Sequence, residues 1–413
     1  MKLRLRTGIF RGKMKTEQLA ELSFILFFSE ALLRTLVTGV LGQRHISSWI
    51  GMLLPYVPLF LICVRNPRRY IKVDFIVIFI LVLVFFATTL LLHPEYEPYY
   101  RRSNYGVWDH VLKPYRGIYA YLFIRLIDDP KRILNCMKIS GWVMLPYFFY
   151  RVYRGSWSTV TATGANMEAT YSVTFGYEVL IFALIFLYLS LTEKKSIYII
   201  TAVIDIILML VGGSRGPILF VGLFFVLYIL IYTQNIRRKG LVVFLIIAGS
   251  LLVYIFYNPI LVLLINILDY FHLSSRFLRM LLAGTISDDS NRFNIWNASI
   301  QMIKNNPFGY GAMGSRHEII NYIFAGYPHS IILEFLIDYG VILGSFLLIV
   351  IFGYAFSILF SRKKRDWCDV FLPFFCAACS MFISLTYWSR AEYWSCLALG
   401  VCCFHDMRRR RTT

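Results

Sequence analysis

Apolar runs of about seventeen to twenty-five residues recur from one end of this 413-residue chain to the other, and no other feature constrains its fold as tightly. A helix of that length crosses the ~30 Å of hydrocarbon in a bilayer. No polar stretch between the runs is long enough for a separate soluble domain, so length here counts helices rather than domains. Charged residues make up only 16% of the chain and hydrophobic ones 58%, where a soluble protein carries about a quarter charged. The fold class expected is all-α: a polytopic membrane helix bundle of about twelve transmembrane helices, one transmembrane domain over 1–413.

The expected spans are 19–41, 47–64, 73–92, 115–127, 139–152, 171–191, 196–213, 217–233, 241–257, 328–360, 368–388 and 395–407. A formal charge of +19 invites a nucleic-acid reading, but the basic residues sit in short clusters between apolar runs, as the positive-inside rule requires. With the basic N-terminal arm inside, the inside segments hold 26 of the 42 Lys and Arg, so both termini are expected in the cytoplasm. Spans 115–127 and 139–152 are short, and one of them is expected to be tilted, re-entrant or differently bounded. The first span carries Glu21, Glu30 and Arg34 and no small-residue cleavage site, so it reads as a retained helix rather than a signal peptide. The eight cysteines fall in spans or on the inner side, which argues against a disulfide framework. Cys376-x-x-Cys379, inside an apolar helix with no second pair, reads as packing.

Residues 258–327 form the largest stretch outside the spans and are expected to make an extracytoplasmic loop subdomain. Leu261, Leu264, Ile265 and Leu268 recur at helical spacing, as do Phe293, Trp296, Ile300 and Ile303. Short amphipathic helices lying against the outer leaflet and capping a cavity follow from that pattern. The outer loops 93–114 and 153–170 are aromatic and charged, and the closing Arg408–Arg411 run reads as an anchor on anionic lipid.

Charged side chains at membrane depth are costly, so each is a functional suspect. Arg215 stands in Gly212-Gly213-Ser214-Arg215-Gly216-Pro217, where small residues permit close approach and a guanidinium fork suits phosphate oxygens. Its plainer role is to snorkel to lipid headgroups. Arg292, in Asn291-Arg292-Phe293-Asn294-Ile295-Trp296, opens a helix with Ser290 as cap, or simply pairs with Asp288 and Asp289 at the surface. Gly309-Tyr310-Gly311-Ala312-Met313-Gly314 has the form G-x-G-x-x-G, but no strand precedes it, so a tight turn is the better reading. His329 stands at the outward end of span 328–360, where the positive end of the helix would keep an imidazole neutral, as a general base must be. A lone histidine at a helix start is otherwise structural. Glu334 and Asp338, four apart on one face of that span, need partners, and Arg215 and Arg292 are available on the same side. The remaining histidines show no ligand spacing, so no metal site is expected.

Taken in order, Ser-Arg-Gly at a helix turn, Asn-Arg-x-x-x-Trp, Asn-Pro-x-Gly-x-Gly and His-x-x-x-Leu-Glu-x-x-x-x-x-Gly-x-x-x-Gly resemble the bacterial O-antigen polymerase and O-antigen ligase superfamily over roughly 205–345. That resemblance implies transfer of a glycan from undecaprenyl pyrophosphate to an acceptor hydroxyl on the outer face of the inner membrane, without cofactor, metal or nucleic acid. It makes Arg215 and Arg292 the groups that neutralise the pyrophosphate and His329 the base. Glu334, Asp338 and Arg390 join the arginines as substrate-binding candidates, with Arg390 and Glu392 either lining the acceptor path or forming a structural ion pair. Ser330 follows the histidine where ligases commonly carry Asn, which favours an O-antigen or capsule polymerase over a ligase acting on lipid A–core. The partners implied are undecaprenyl-pyrophosphate-linked oligosaccharide, membrane lipids, a chain-length regulator and a flippase. A lipid-linked oligosaccharide flippase is the alternative from another class, but it should show two related halves and charges lining a path across the whole membrane.

Overall fold

The computed structural model describes residues 15–42, 45–103, 106–154, 157–160, 166–169, 172–212, 216–233, 257–270, 279, 282 and 291–412. They are helical apart from short loops and a two-stranded antiparallel hairpin. Trp157–Val160 pairs with Asn166–Ala169 inside the expected outer loop 153–170. The hairpin is the one departure from an all-α architecture among these residues.

Val173–Glu193 is the axis of the bundle, with its apolar residues buried on every side. Ser172 caps it by accepting the Phe175 N–H at 3.2 Å. Around it pack Pro130–Arg154, Ser196–Val211, Gly216–Tyr232 and Arg365–Ala378. Val73–Leu92 and Ile331–Leu359 lie at the periphery and turn Val77, Ile80, Leu81, Ile342 and Ile349 outward. An apolar face so exposed would be a liability in water and is what lipid requires.

Three helices are long and apolar enough to cross a membrane, or five if each of two bent pairs is one span, among the described residues. The expected spans are corrected in several places. Span 19–41 is broken at Ser29, where Thr16–Phe28 and Glu30–Leu41 meet at 76°. Of the three charges that marked this span, Glu30 and Arg34 pair at 3.3 Å one turn apart on the second helix, and Glu21 pairs with Arg132. Span 47–64 bends by 45° ahead of Tyr56–Arg65. Gly117–Ile127 has 11 residues and is mostly buried, too short at 1.5 Å per residue to cross alone. Pro130–Arg154 runs for 25 residues, so the stretch Lys131–Lys138 is helix and not an inside loop. One of the basic residues that hid it, Arg132, is held by Glu21 at 2.8 Å. Span 368–388 ends early: Arg365–Ala378 passes into a 3-10 turn at Cys379–Phe382, and the chain from Ile383 to Arg390 is buried but non-helical. Such backbone is tolerated at membrane depth only inside protein. The expected span 241–257 lies outside the described residues except for Tyr257. Within 258–327 the amphipathic pattern does form helices, Tyr257–Tyr270 and Arg292–Asn305, with a short one at Gly314–Glu318.

Contacts define the two ends of the bundle. At one, the Ser172 N–H donates to the Gly212 carbonyl at 3.2 Å and the Gly117 N–H to that of Ser389 at 3.2 Å. At the other, Tyr232 donates to Asp369 at 2.6 Å beneath the Arg365 guanidinium.

Candidate active site

The site is built around a helix that is continuous only in outline. Gly340 interrupts Ile331–Leu359 with φ of 78°. The carbonyls freed at the break are taken up by the loop before the helix. The Tyr310 N–H donates to Ile337 at 2.7 Å, the Gly311 N–H donates to Asp338 at 3.1 Å, and Val341 N–H donates back to Pro307 at 2.8 Å. Gly309 and Gly311 reach this position with φ of 96° and 79°, a region that glycine enters without strain. The G-x-G-x-x-G run is thus a tight turn locked into a helix break. Ala312 fastens it sideways, donating to Thr89 Oγ1 at 2.9 Å and accepting from the Tyr100 hydroxyl at 2.5 Å.

Glu334 and Asp338, on the segment before the break, are 0% and 2% exposed. Arg215 lies outside the described residues, and the expectation that Arg292 partners them is corrected. Thr386 donates to Glu334 at 2.7 Å, while the Tyr387 hydroxyl and Trp388 Nε1–H donate to Asp338 at 2.9 and 3.1 Å. The nearby positive charge is that of Arg316. Both carboxylates are enclosed by protein, and what they hold is the irregular segment 384–388.

That segment supports His329. The spanning helix begins at Ile331 rather than 328, with Ser330 as N-cap, so His329 lies ahead of it. Its φ is 54°, left-handed for a residue with a side chain, and such strain gathers at functional sites. Nδ1 lies 2.9 Å from the Ser384 carbonyl, which also accepts from the Tyr327 hydroxyl at 2.8 Å. A carbonyl only accepts, so Nδ1 carries the proton and Nε2 keeps its lone pair. Burial lowers the pKa of His329 to about 4, with the charges of Arg292 and Arg316 acting the same way against the Ser384 carbonyl. The imidazole is neutral as expected, but through burial and neighbouring charge rather than the helix end.

Arg292 is the first residue of Arg292–Asn305, after Asn291 at φ 64°, and no side chain caps the helix. Ser290, Asp288 and Asp289 lie outside the described residues, as does Arg215. The frame of Arg215 is present, however: a Cβ on Gly216 would overlap the Tyr177 hydroxyl, and one on Gly212 would press on Phe175. Tyr177 joins the parts. It lies within electrostatic reach of Arg292 and Arg390, and its carbonyl accepts from Arg390 at 3.4 Å. Arg390 makes a two-pronged ion pair with Glu392 at 2.8 and 3.1 Å, the structural alternative weighed for it.

Sequence reasoning missed Arg316. It is 5% exposed, reaches Thr386 Oγ1 at 3.4 Å and lies over the Tyr327 ring at 5.6 Å. It belongs to no apolar run, so membrane depth gave no warning of it. Below the site an apolar cavity of about 380 Å³ runs along the bundle, from Ile331, Phe335 and Tyr393 down to Phe375 and Phe404.

Comparison with known proteins agrees with the motif reading. Residues 200–348 match a family model described as O-Antigen ligase, a little over a third of the chain. The match takes in all four motif elements, from the glycine turn around Arg215 to Gly344. No curated protein matches the chain.

Proposed function

From this O-antigen ligase-type core we infer that the protein is a glycan polymerase of the bacterial inner membrane. It transfers a growing O-antigen or capsule chain from undecaprenyl pyrophosphate to a hydroxyl of a lipid-linked repeat unit on the outer face. The observation that carries this reading is the tethered, neutral His329 beneath the charge of Arg292 and Arg316.

In the reaction proposed, His329 Nε2 takes the proton of the acceptor hydroxyl as its oxygen bonds to the anomeric carbon. The anomeric C–O bond breaks, and lipid diphosphate leaves with the electron pair. Negative charge grows on that diphosphate, so preorganised guanidinium groups lower the barrier. Arg292 and Arg215 are the groups proposed for this role. Glu334 and Asp338 act at one remove, fixing the segment that orients the imidazole. The apolar cavity suits part of a polyprenyl tail. No metal or nucleotide enters the scheme, and the full fold of about twelve spans with both termini inside belongs to the same reading. A chain-length regulator and a flippase would be its partners.

The test is replacement of Arg215, Arg292 or His329 by Ala in a strain lacking the native gene, with surface polysaccharide run on a gel. Each variant should stay in the membrane and lose long chains, leaving single-repeat, lipid-linked product. Normal chain length in all three would overturn the site. A ligase is the second reading, favoured by the description of the matched family. In that case the variants would accumulate long, lipid-linked chains that are not attached to lipid A–core.

A further inference from the structure

A second polar basin lies beside the first, on the other side of Tyr177. Five parts of the chain contribute to it. Glu30 and Arg34 come from the bend between the first two helices, paired at 3.3 Å. Tyr115 and Arg116 precede Gly117–Ile127, and the guanidinium groups of Arg34 and Arg116 lie over the Tyr115 ring at 5.0 and 4.6 Å. Arg151, near the end of Pro130–Arg154, donates to the Tyr147 hydroxyl at 2.9 Å. Glu178 comes from the second turn of the axial helix, and the Arg390–Glu392 pair closes the ring. Two contacts fix the arrangement: Gly117 N–H donates to Ser389, and Arg390 donates to the carbonyl of Tyr177, next to Glu178.

Glu178 is the group that the site described above leaves unexplained. Among the described residues no hydrogen bond or ion pair reaches its carboxylate, yet Arg151, Arg390 and Arg34 all lie within electrostatic reach. Part of its surface stays accessible. A carboxylate offers only acceptors and a guanidinium only donors, so a group that bridges them must supply both. A hydroxyl does so: it donates to the carboxylate and accepts from the guanidinium. An anion would meet Glu30, Glu178 and Glu392 as well as Arg34, Arg116, Arg151 and Arg390, and the three carboxylates offset most of what the guanidinium groups would give it.

We propose that the basin of Glu178, Arg34, Arg151 and Arg390 binds the hydroxyl-rich glycan of the acceptor, apart from the diphosphate held at Arg292. This assignment rests on the polymerase reading and adds a specificity site to it. The Arg390–Tyr177 link puts a sugar in the basin beside the segment 384–388 that supports His329.

The test uses the full chain in lipid nanodiscs and two probes: the free repeat-unit oligosaccharide released by mild acid from the lipid-linked pool of the same cells, and inorganic pyrophosphate. Glu178→Gln should weaken oligosaccharide binding at least tenfold and leave pyrophosphate binding within twofold. Arg292→Ala should show the reverse. Tyr115→Ala, which removes a ring from the basin rim, should weaken the oligosaccharide severalfold and serves if Glu178→Gln does not fold. Oligosaccharide binding unchanged in the Glu178 or Tyr115 variant, with pyrophosphate still bound, would overturn this inference alone. Failure of the wild-type protein to bind either probe would overturn the polymerase reading with it.

Discussion

His329 illustrates how one side chain is prepared by groups that never touch substrate. Its Nδ1 is held by a backbone carbonyl, and that carbonyl belongs to a segment fastened by Glu334 and Asp338 through Thr386, Tyr387 and Trp388. The imidazole is largely withdrawn from water and close to two guanidinium charges, and both conditions oppose protonation. A base works only in its neutral form, so activity is lost as pH falls through the pKa of the folded enzyme. With that value lowered to about 4 from the ordinary 6.5, kcat/KM for chain elongation in nanodiscs is expected to hold through pH 6 and to fall with a midpoint near 4. A midpoint near 6.5 would mean that His329 is not the titrating base. The motifs drew attention to His329 and Arg292, and the structure brings the two within electrostatic reach of each other. The partners of Glu334 and Asp338 were not legible, since they come from residues 384–388, whose apolar composition imitates the end of a spanning helix. Arg316 escaped for the opposite reason: in an irregular loop a single arginine looks like ordinary surface.

Elements here depart from ideal helices where the site needs them to. The break at Gly340 frees carbonyls that bind the glycine loop, and that loop connects the helix of Arg292 to the segment bearing His329. Glycine at 340 is therefore required twice, by its φ of 78° and by the Phe308 carbonyl against which any Cβ would collide. Gly353, in the same helix, has normal helical geometry and open space around its Cα. Gly340→Ala is expected to destabilise the protein by ~1–3 kcal/mol or more. Gly353→Ala should be neutral or stabilise by ~0.5–1 kcal/mol, since it lowers the entropy of the unfolded chain. Thermal melts of the two purified variants decide the matter, and equal midpoints would remove the break from the account. The glycine run could be read as a turn from sequence, whereas the helix break it serves could not. Residues 331–359 are apolar throughout, and hydropathy is blind to one residue with positive φ. Hydropathy likewise passed over the bend at Ser29, and the basic residues of Lys131–Lys138 made a stretch of helix read as a loop.

At the scale of the whole molecule, the groups of both basins gather at the end of the bundle where Ser172 meets Gly212, and the other end holds Arg365 and Asp369. In the proposed reaction a glycan on polyprenyl diphosphate is elongated on the side away from ATP, so the first end must face outward for that chemistry to be available. Charge argues for this orientation, since the basic clusters 362–365 and 408–411 lie at the opposite end. The expectation can be checked with the chain nearly as it stands. Six of its eight cysteines are buried and none forms a disulfide, which gives a low background for a thiol reagent that cannot cross membranes. Tyr153, 88% exposed at the site end, and Lys195, with 60% of its side chain exposed at the other, are the positions to compare. On intact spheroplasts Tyr153→Cys should be labelled and Lys195→Cys should not, with both labelled once the membrane is opened. Labelling of Lys195→Cys alone on intact cells would invert the topology. Arg292 and His329 would then face the cytoplasm, where a second lipid-linked repeat is assembled rather than joined, and the basin around Glu178 would have no acceptor to receive.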